Sequence, residues 1–227
     1  MSVEEVVAEL RSKADPKAVK GMERFGISSK NTLGISIPVL RRMARKVAVN
    51  HELALGLWKS GIHEARILAA MVDDSARVTE SQMESWANDF DSWDVVDSTC
   101  GSLFDKTPMA YAKALEWAER KGEFVRRAGY VMMAELAVHD KMAADVEFLR
   151  FFDAIERGST DGRNFVKKAV NWALRQIGKR NLKLNSDALR LAKKISTKDS
   201  GSARWVASAA IRELRSEGVQ RRFRSSS

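Results

Sequence analysis

Apolar residues recur at spacings of three and four along almost the whole chain, and that regularity restricts it to helices. Val3, Val6, Val7 and Leu10 form one such stripe, Met142, Val146 and Leu149 another, and Ala203, Val206, Ala210 and Leu214 a third. A 3.6-residue period brings each set onto one face, whereas strands would alternate with period two, and no convincing stretch does so. Pro16, Pro38 and Pro108 each stand where a helix can begin. The pattern predicts helices at 2–13, 16–25, 37–49, 51–60, 63–73, 79–89, 93–104, 108–121, 123–138, 141–157, 162–180, 185–197 and 202–217, an all-α fold.

Local signals agree. Thr79 followed by Gln82 resembles a capping box, Gly61 and Gly122 sit where left-handed helix stops belong, and Asn185 or Ser186 can open the penultimate helix. Four helices share a basic residue opening a small, apolar run, at Arg66, Arg127, Lys168 and Arg204. Their separations of 61, 41 and 36 fit paired-helix repeats of about 30 to 45 residues if the first gap holds two units. A curved array of helix pairs is expected, although amphipathic helices resemble one another at this level. Residues 1–218 then form one domain, and 219–227, cationic and without periodicity, a disordered tail.

Lys and Arg outnumber Asp and Glu by 39 to 30, a net charge of +9. That favours an anionic partner, nucleic acid ahead of a membrane surface, though modest basicity also serves solubility alone. Cys100 is the single cysteine, so no internal disulfide or cysteine zinc cluster forms, and a reducing cytoplasmic compartment fits. The acidic N-terminus and the lack of a long apolar run point away from a signal peptide or a membrane span. A monomer is expected. His51, His63 and His139 are scattered without metal-ligand spacing and read as surface or satisfied core residues, so neither metal nor cofactor is expected. No phosphate-binding glycine loop, serine elbow or Cys/His nucleophile pair occurs, which disfavours nucleotide hydrolysis and acyl transfer. Met132, Met133 and Met142 read as core filling, and Trp58, Trp86, Trp117 and Trp205 as packing anchors.

Two helices stand out. Trp93 and Asp97 lie four apart and share a face, while Asp94 reads as a cap; a snorkelling tryptophan beside a capping acid would look similar. Lys168, Trp172, Arg175 and Lys179, with Lys167 beside them, make a cationic stripe interrupted by an indole. Phe165, Val166, Ala169, Val170, Ala173, Leu174 and Ile177 supply that helix's apolar side, leaving the stripe for solvent or a ligand. Arg126 and Arg127 add donors suited to phosphate oxygens.

Trp93-Asp94-x-x-Asp97, then Arg127, then Trp172-x-x-Arg175 resembles the AlkD-like DNA alkylation repair family of HEAT-like-repeat glycosylases. The segments Phe25-Gly26-Ile27 and Gly34-Ile35-Ser36-Ile37-Pro38-Val39-Leu40-Arg41 resemble that family's opening. The resemblance implies a right-handed curved solenoid of HEAT-like antiparallel helix pairs with a concave basic groove. It also implies hydrolysis of the N-glycosidic bond of cationic alkylated purines in duplex DNA, without base flipping, in base excision repair. Asp97 would be the catalytic carboxylate, Trp93 and Trp172 the indoles flanking the damaged nucleotide, and Arg127 a contact beside its backbone. Arg66, Arg126, Lys168, Arg175, Lys179 and Arg204 are the candidate DNA contacts. Ser92 stands where the family often has an aromatic, which bears on substrate breadth. The rival reading is a non-catalytic helical-repeat scaffold binding DNA or protein. A carboxylate between indoles separates the two, because it repels phosphate and gains a pure DNA binder nothing.

Overall fold

All secondary structure is helical in residues 1–224, the part described by a computed structural model, and no strand occurs among them. The chain divides into two compact units, Met1–Thr107 and a second that begins at Pro108. The first holds α1 (Val3–Ser12), α2 (Pro16–Glu23), α3 (Ile37–Val47), α4 (His51–Lys59), α5 (His63–Val72), α6 (Glu80–Asn88) and α7 (Trp93–Ser102), then a 3-10 turn at Phe104–Lys106. The second holds α8 (Ala110–Ala118), α9 (Glu123–His139), α10 (Asp145–Leu149), α11 (Phe152–Gly158), α12 (Asn164–Gly178), α13 (Leu182–Ser196), α14 (Gly201–Leu214) and α15 (Glu217–Arg224).

Short polar side chains start many of these helices by accepting otherwise orphaned backbone N–H groups. Ser2 and Glu5 form a reciprocal capping box, and Asp15, Asn50, Thr79, Asn181 and Ser200 each accept from the first turn. Thr79 completes only half of the expected box, because the Gln82 amide turns away to donate to Asp73 at 2.6 Å. Gly61 takes the left-handed conformation at φ 68°, whereas Gly122 sits at φ −62° and opens α9 rather than stopping α8.

In the first unit α3 and α7 flank α5, and α4 packs behind it; Trp58 of α4 stacks on Trp86 of α6 with centroids 3.9 Å apart. In the second, α9, α12 and α14 lie side by side. Arg127 near the start of α9 donates to Phe165 O at the start of α12, and Arg180 just past α12 donates to Ala137 O near the end of α9, so the two run the same way. Helices α8 and α13 cover this row from behind. Trp117 and Tyr130 are fully buried between these layers, as are Met132 and Met133, in line with a packing role.

Gly129 marks the closest approach of α8 and α9: a Cβ there would lie 2.3 Å from Ala118 N and 2.8 Å from Ala114 O. Backbone cannot yield as a side chain can. Gly129→Ala is expected to cost about 3 kcal/mol of stability, read as a lower urea midpoint; an unchanged midpoint would mean that the helices part freely.

Five expectations are corrected. The helix over 141–157 is broken into α10 and α11, Met142 is 93% exposed rather than core, and Val146 is exposed too. Asp140 accepts from Met142 N and Ala143 N, forming a turn that delays the start of α10 to Asp145. The helix expected over 185–197 starts at Leu182, because Asn181 caps it; Asn185 lies inside, buried, donating to Gly178 O. Trp205 is 42% exposed instead of packed between repeats. Finally, the tail expected from 219 is helical to Arg224, since Val219 and Phe223, four apart, both bury. Residues 225–227 of that tail lie outside the described residues.

Candidate functional site

Helix α7 divides into two faces. Val95, Val96, Thr99 and Cys100 are buried, and Trp93, Asp94 and Asp97 occupy the half-exposed remainder. Trp93 and Asp97 are thus one turn apart outside the core, as their spacing predicts. The Trp93 indole is fixed in place: its Nε1–H donates to Phe25 O at 3.0 Å, in the loop between α2 and α3.

That loop is itself anchored by a buried acid. Glu64, on the first turn of α5 and without solvent exposure, accepts from three consecutive N–H groups: Leu33 at 2.8 Å, Gly34 at 2.6 Å and Ile35 at 3.2 Å. Gly34 is required there, with φ at 80° and room for no Cβ, which would lie 2.3 Å from Asp15 O.

Asp94 is not the cap of α7; Ser92 occupies that position, and Asp94 Oδ2 instead lies 2.9 Å from His63 Nε2 at the start of α5. His63 is therefore a satisfied core residue, 6% exposed. Burial disfavours its imidazolium, yet the Asp94 carboxylate, with Glu64 and Asp91 nearby, outweighs burial and raises His63 above its ordinary value. Burial acts against Asp94 too, and the contact with His63 still lowers it. A raised histidine contributes fully below its unfolded value and loses that contribution as pH rises through the folded one. A lowered aspartate contributes above its unfolded value and loses that as pH falls. The pair should then stabilise α5 against α7 most between about pH 4 and 6.5. His63→Gln is expected to cost most in that window and less as the pH rises beyond it, measured by urea midpoints across pH. A pH-independent cost would count against the ion pair.

The candidate DNA contacts differ in how far the protein already uses them. In the first unit, Arg66 donates to Asp89 O at 3.1 Å and lies over the Trp58 ring at 5.5 Å, bracing α5 against the end of α6. In the second unit, Arg127 is 5% exposed and donates to Phe165 O at 2.7 Å, tying α9 to α12. Arg126 donates to Ala118 O and lies 3.5 Å from Asp161. Arg175 and Lys179 converge on Glu213 of α14, Lys179 at 2.8 Å. Burial opposes the Glu213 charge, but these two donors hold its carboxyl below the ordinary range. Lys168 and Arg204 are exposed, and Trp172 is half-buried on the same face as Lys168. The cationic stripe is therefore real as a sequence pattern but half neutralised in three dimensions. Sequence reasoning did not find Glu213, Glu64 or the His63 contact, because each acts on a residue about thirty or more positions away.

Among the described residues, no three His, Cys, Asp or Glu side chains group as a metal set, and no helix is long and apolar enough to cross a membrane.

A family model described as DNA alkylation repair enzyme matches residues 6–214. Uncharacterized proteins of Listeria innocua and Listeria monocytogenes are each 24% identical over 139 residues, 60% of this chain and 62% of theirs. The chain thus matches less than two thirds of the length of these curated relatives. Among solved structures, one from a new family of proteins related to the HEAT-like repeat DNA glycosylases, with affinity for branched DNA structures, superposes with a TM-score of 0.77 at 17% identity. That match covers 92% of this chain and 93% of the other. The likeness shows a shared HEAT-like helical fold. With the family match running from α1 to the end of α14, the chain belongs to the DNA alkylation repair enzyme family.

Proposed function

We propose that the protein is a DNA glycosylase that releases cationic alkylated purines, of the 3-methyladenine and 7-methylguanine type, from duplex DNA in base excision repair. The observation that supports this is the pairing of Trp93 and Asp97 on the half-exposed face of α7, with Trp93 fixed by its bond to Phe25 O.

Alkylation at a purine ring nitrogen leaves the base positively charged, so it departs without being protonated. The C1′–N bond breaks with both electrons going to the base, which leaves neutral, and positive charge develops on the sugar. A carboxylate held near C1′ stabilises that charge electrostatically. Asp97 takes this role and accepts the proton of the water that adds to C1′. Trp93 and Trp172 offer electron-rich faces that attract a cationic nucleoside. Arg127, buried against α12, positions that helix and carries the backbone contact beside the lesion. Arg66, Arg126, Lys168, Arg175, Lys179 and Arg204 supply phosphate affinity, with exposed Lys168 and Arg204 foremost. Base flipping is not needed, because the attack proceeds along the backbone.

A second reading is a non-catalytic binder of branched DNA, since Glu213 already engages Arg175 and Lys179, two of the cations assigned above to the damaged duplex. The solved relative, described as having affinity for branched DNA, points the same way. One experiment separates the two. The protein in excess is incubated with duplexes carrying a single 7-methylguanine or a single uracil, and binding to intact duplex and to a four-way junction is measured across salt. Release of 7-methylguanine alone, with affinity falling steeply as salt rises, supports the glycosylase. Junction binding without release of either base supports the second reading.

A further inference from the structure

The apolar stripe of α14 is complete without its tryptophan: Ala203, Val206, Ala207, Ala210 and Leu214 are all buried, whereas Trp205 is 42% exposed. An indole left this far out of the core has lost much of the stabilisation that burial would give it. Its surroundings are cationic. Lys167 of α12 places its Nζ 5.4 Å from the ring centroid. Lys168 follows it and is exposed, and Arg204, with its side chain 60% exposed, precedes Trp205 in the chain. Asp199, 3.5 Å from Arg204, is fully exposed, so that contact holds the guanidinium only weakly.

We infer that Trp205, with Lys167, Lys168 and Arg204, forms a stacking platform for an unpaired nucleotide of DNA. Every base presents a π-face of similar size, so an indole flanked by cations holds single-stranded segments with little regard to sequence. In a fully paired duplex both faces of each base are covered by its neighbours. Only a flap, a gap or a junction arm offers a free one. Lys167 stands over the ring, and the exposed part of the indole is left for the base. The cations take the adjoining phosphates, since Lys168 and Arg204 keep their charges available to solvent. The platform rests on the reading that this chain binds DNA, and extends it from the damaged duplex to the unpaired strand beside it.

Fluorescence anisotropy with a fully paired duplex, and with the same duplex carrying a short single-stranded flap, tests the inference on the wild type, Trp205→Ala and Trp205→Phe. The wild type should bind the flapped DNA more tightly. Trp205→Ala should lose about tenfold of affinity for it while changing the paired duplex by less than about twofold, and Trp205→Phe should restore most of the loss. Thermal unfolding should leave the variants close to the wild type, because the ring is not core. The platform is overturned if the wild type shows no preference for the flap, or if Trp205→Ala affects both DNAs equally or neither. Failure of the wild type to bind either DNA would overturn the DNA-binding reading itself. Absence of 7-methylguanine release by the wild type, with the flap preference intact, would overturn the glycosylase reading and leave the platform standing.

Discussion

Asp97→Asn is expected to slow single-turnover release of 7-methylguanine by about two to three orders of magnitude, with duplex affinity unchanged or higher. The amide keeps the shape of the side chain and most of its hydrogen-bonding capacity, so α7 and the Trp93 face should stay in place. What disappears is the negative charge. In the ground state that charge faces phosphates and opposes binding; in the transition state it faces a sugar gaining positive charge and lowers the barrier. The variant should therefore lose rate without losing affinity, the signature of an interaction made only in the transition state. Cleavage by Asp97→Asn at the wild-type rate would remove Asp97 from the mechanism. Undiminished binding with no cleavage by either protein would favour the branched-DNA reading.

The sequence carried the helices because their start signals and apolar stripes are local. Asn50, Thr79 and Ser200 lie within a few residues of the N–H groups they cap, and the buried side of α12 is the Val166, Ala169, Val170, Ala173, Leu174, Ile177 set that its periodicity names. The late start of α10, at Asp145 rather than 141, was not legible, because its cause is only half local. Asp140 makes the turn, but Arg180 steadies it from forty residues away, donating to the carbonyls of Ala137, Asp140 and Ala143 and lying 4.0 Å over the Phe148 ring. A guanidinium there satisfies orphaned carbonyls at the end of α9 and removes any need for the helix to continue.

The candidate site divides along the same line. Trp93 and Asp97 could be placed on one face because four-residue spacing within a helix fixes it. The strength of the cationic stripe on α12 could not be judged, since Glu213 reaches it from the neighbouring helix and no pattern within α12 announces that. Trp205 was misread for a related reason. Tryptophan is usually an anchor, and although the stripe of Ala203, Val206, Ala210 and Leu214 leaves Trp205 off its face, only the packed structure shows how little the neighbouring helices cover the ring.

Glu64→Ala should be the most damaging single change in the first unit, costing about 3 to 5 kcal/mol, a large share of the stability of an ordinary domain. Each of the three bonds it accepts is charge-assisted, and removing the carboxylate leaves three neighbouring N–H donors facing a cavity. Glu64→Gln keeps one acceptor oxygen but places an NH2 group among donors, so an intermediate loss is expected. The damage should spread to the site, because the loop anchored at 33–35 also carries Phe25 O, the acceptor for the Trp93 indole. Urea unfolding measures the stability loss, and limited trypsinolysis at exposed Arg24 and Lys30 reads the loosening of the loop. In Glu64→Gln, faster cleavage there should accompany slower 7-methylguanine release while the remaining helices stay folded. If Glu64→Ala unfolds within about 1 kcal/mol of the wild type and its loop resists trypsin equally well, the loop is held by its other contacts. The bond from Asp15 N to Leu33 O would be foremost among these, and Phe25 O would stay in place to hold the Trp93 indole without Glu64.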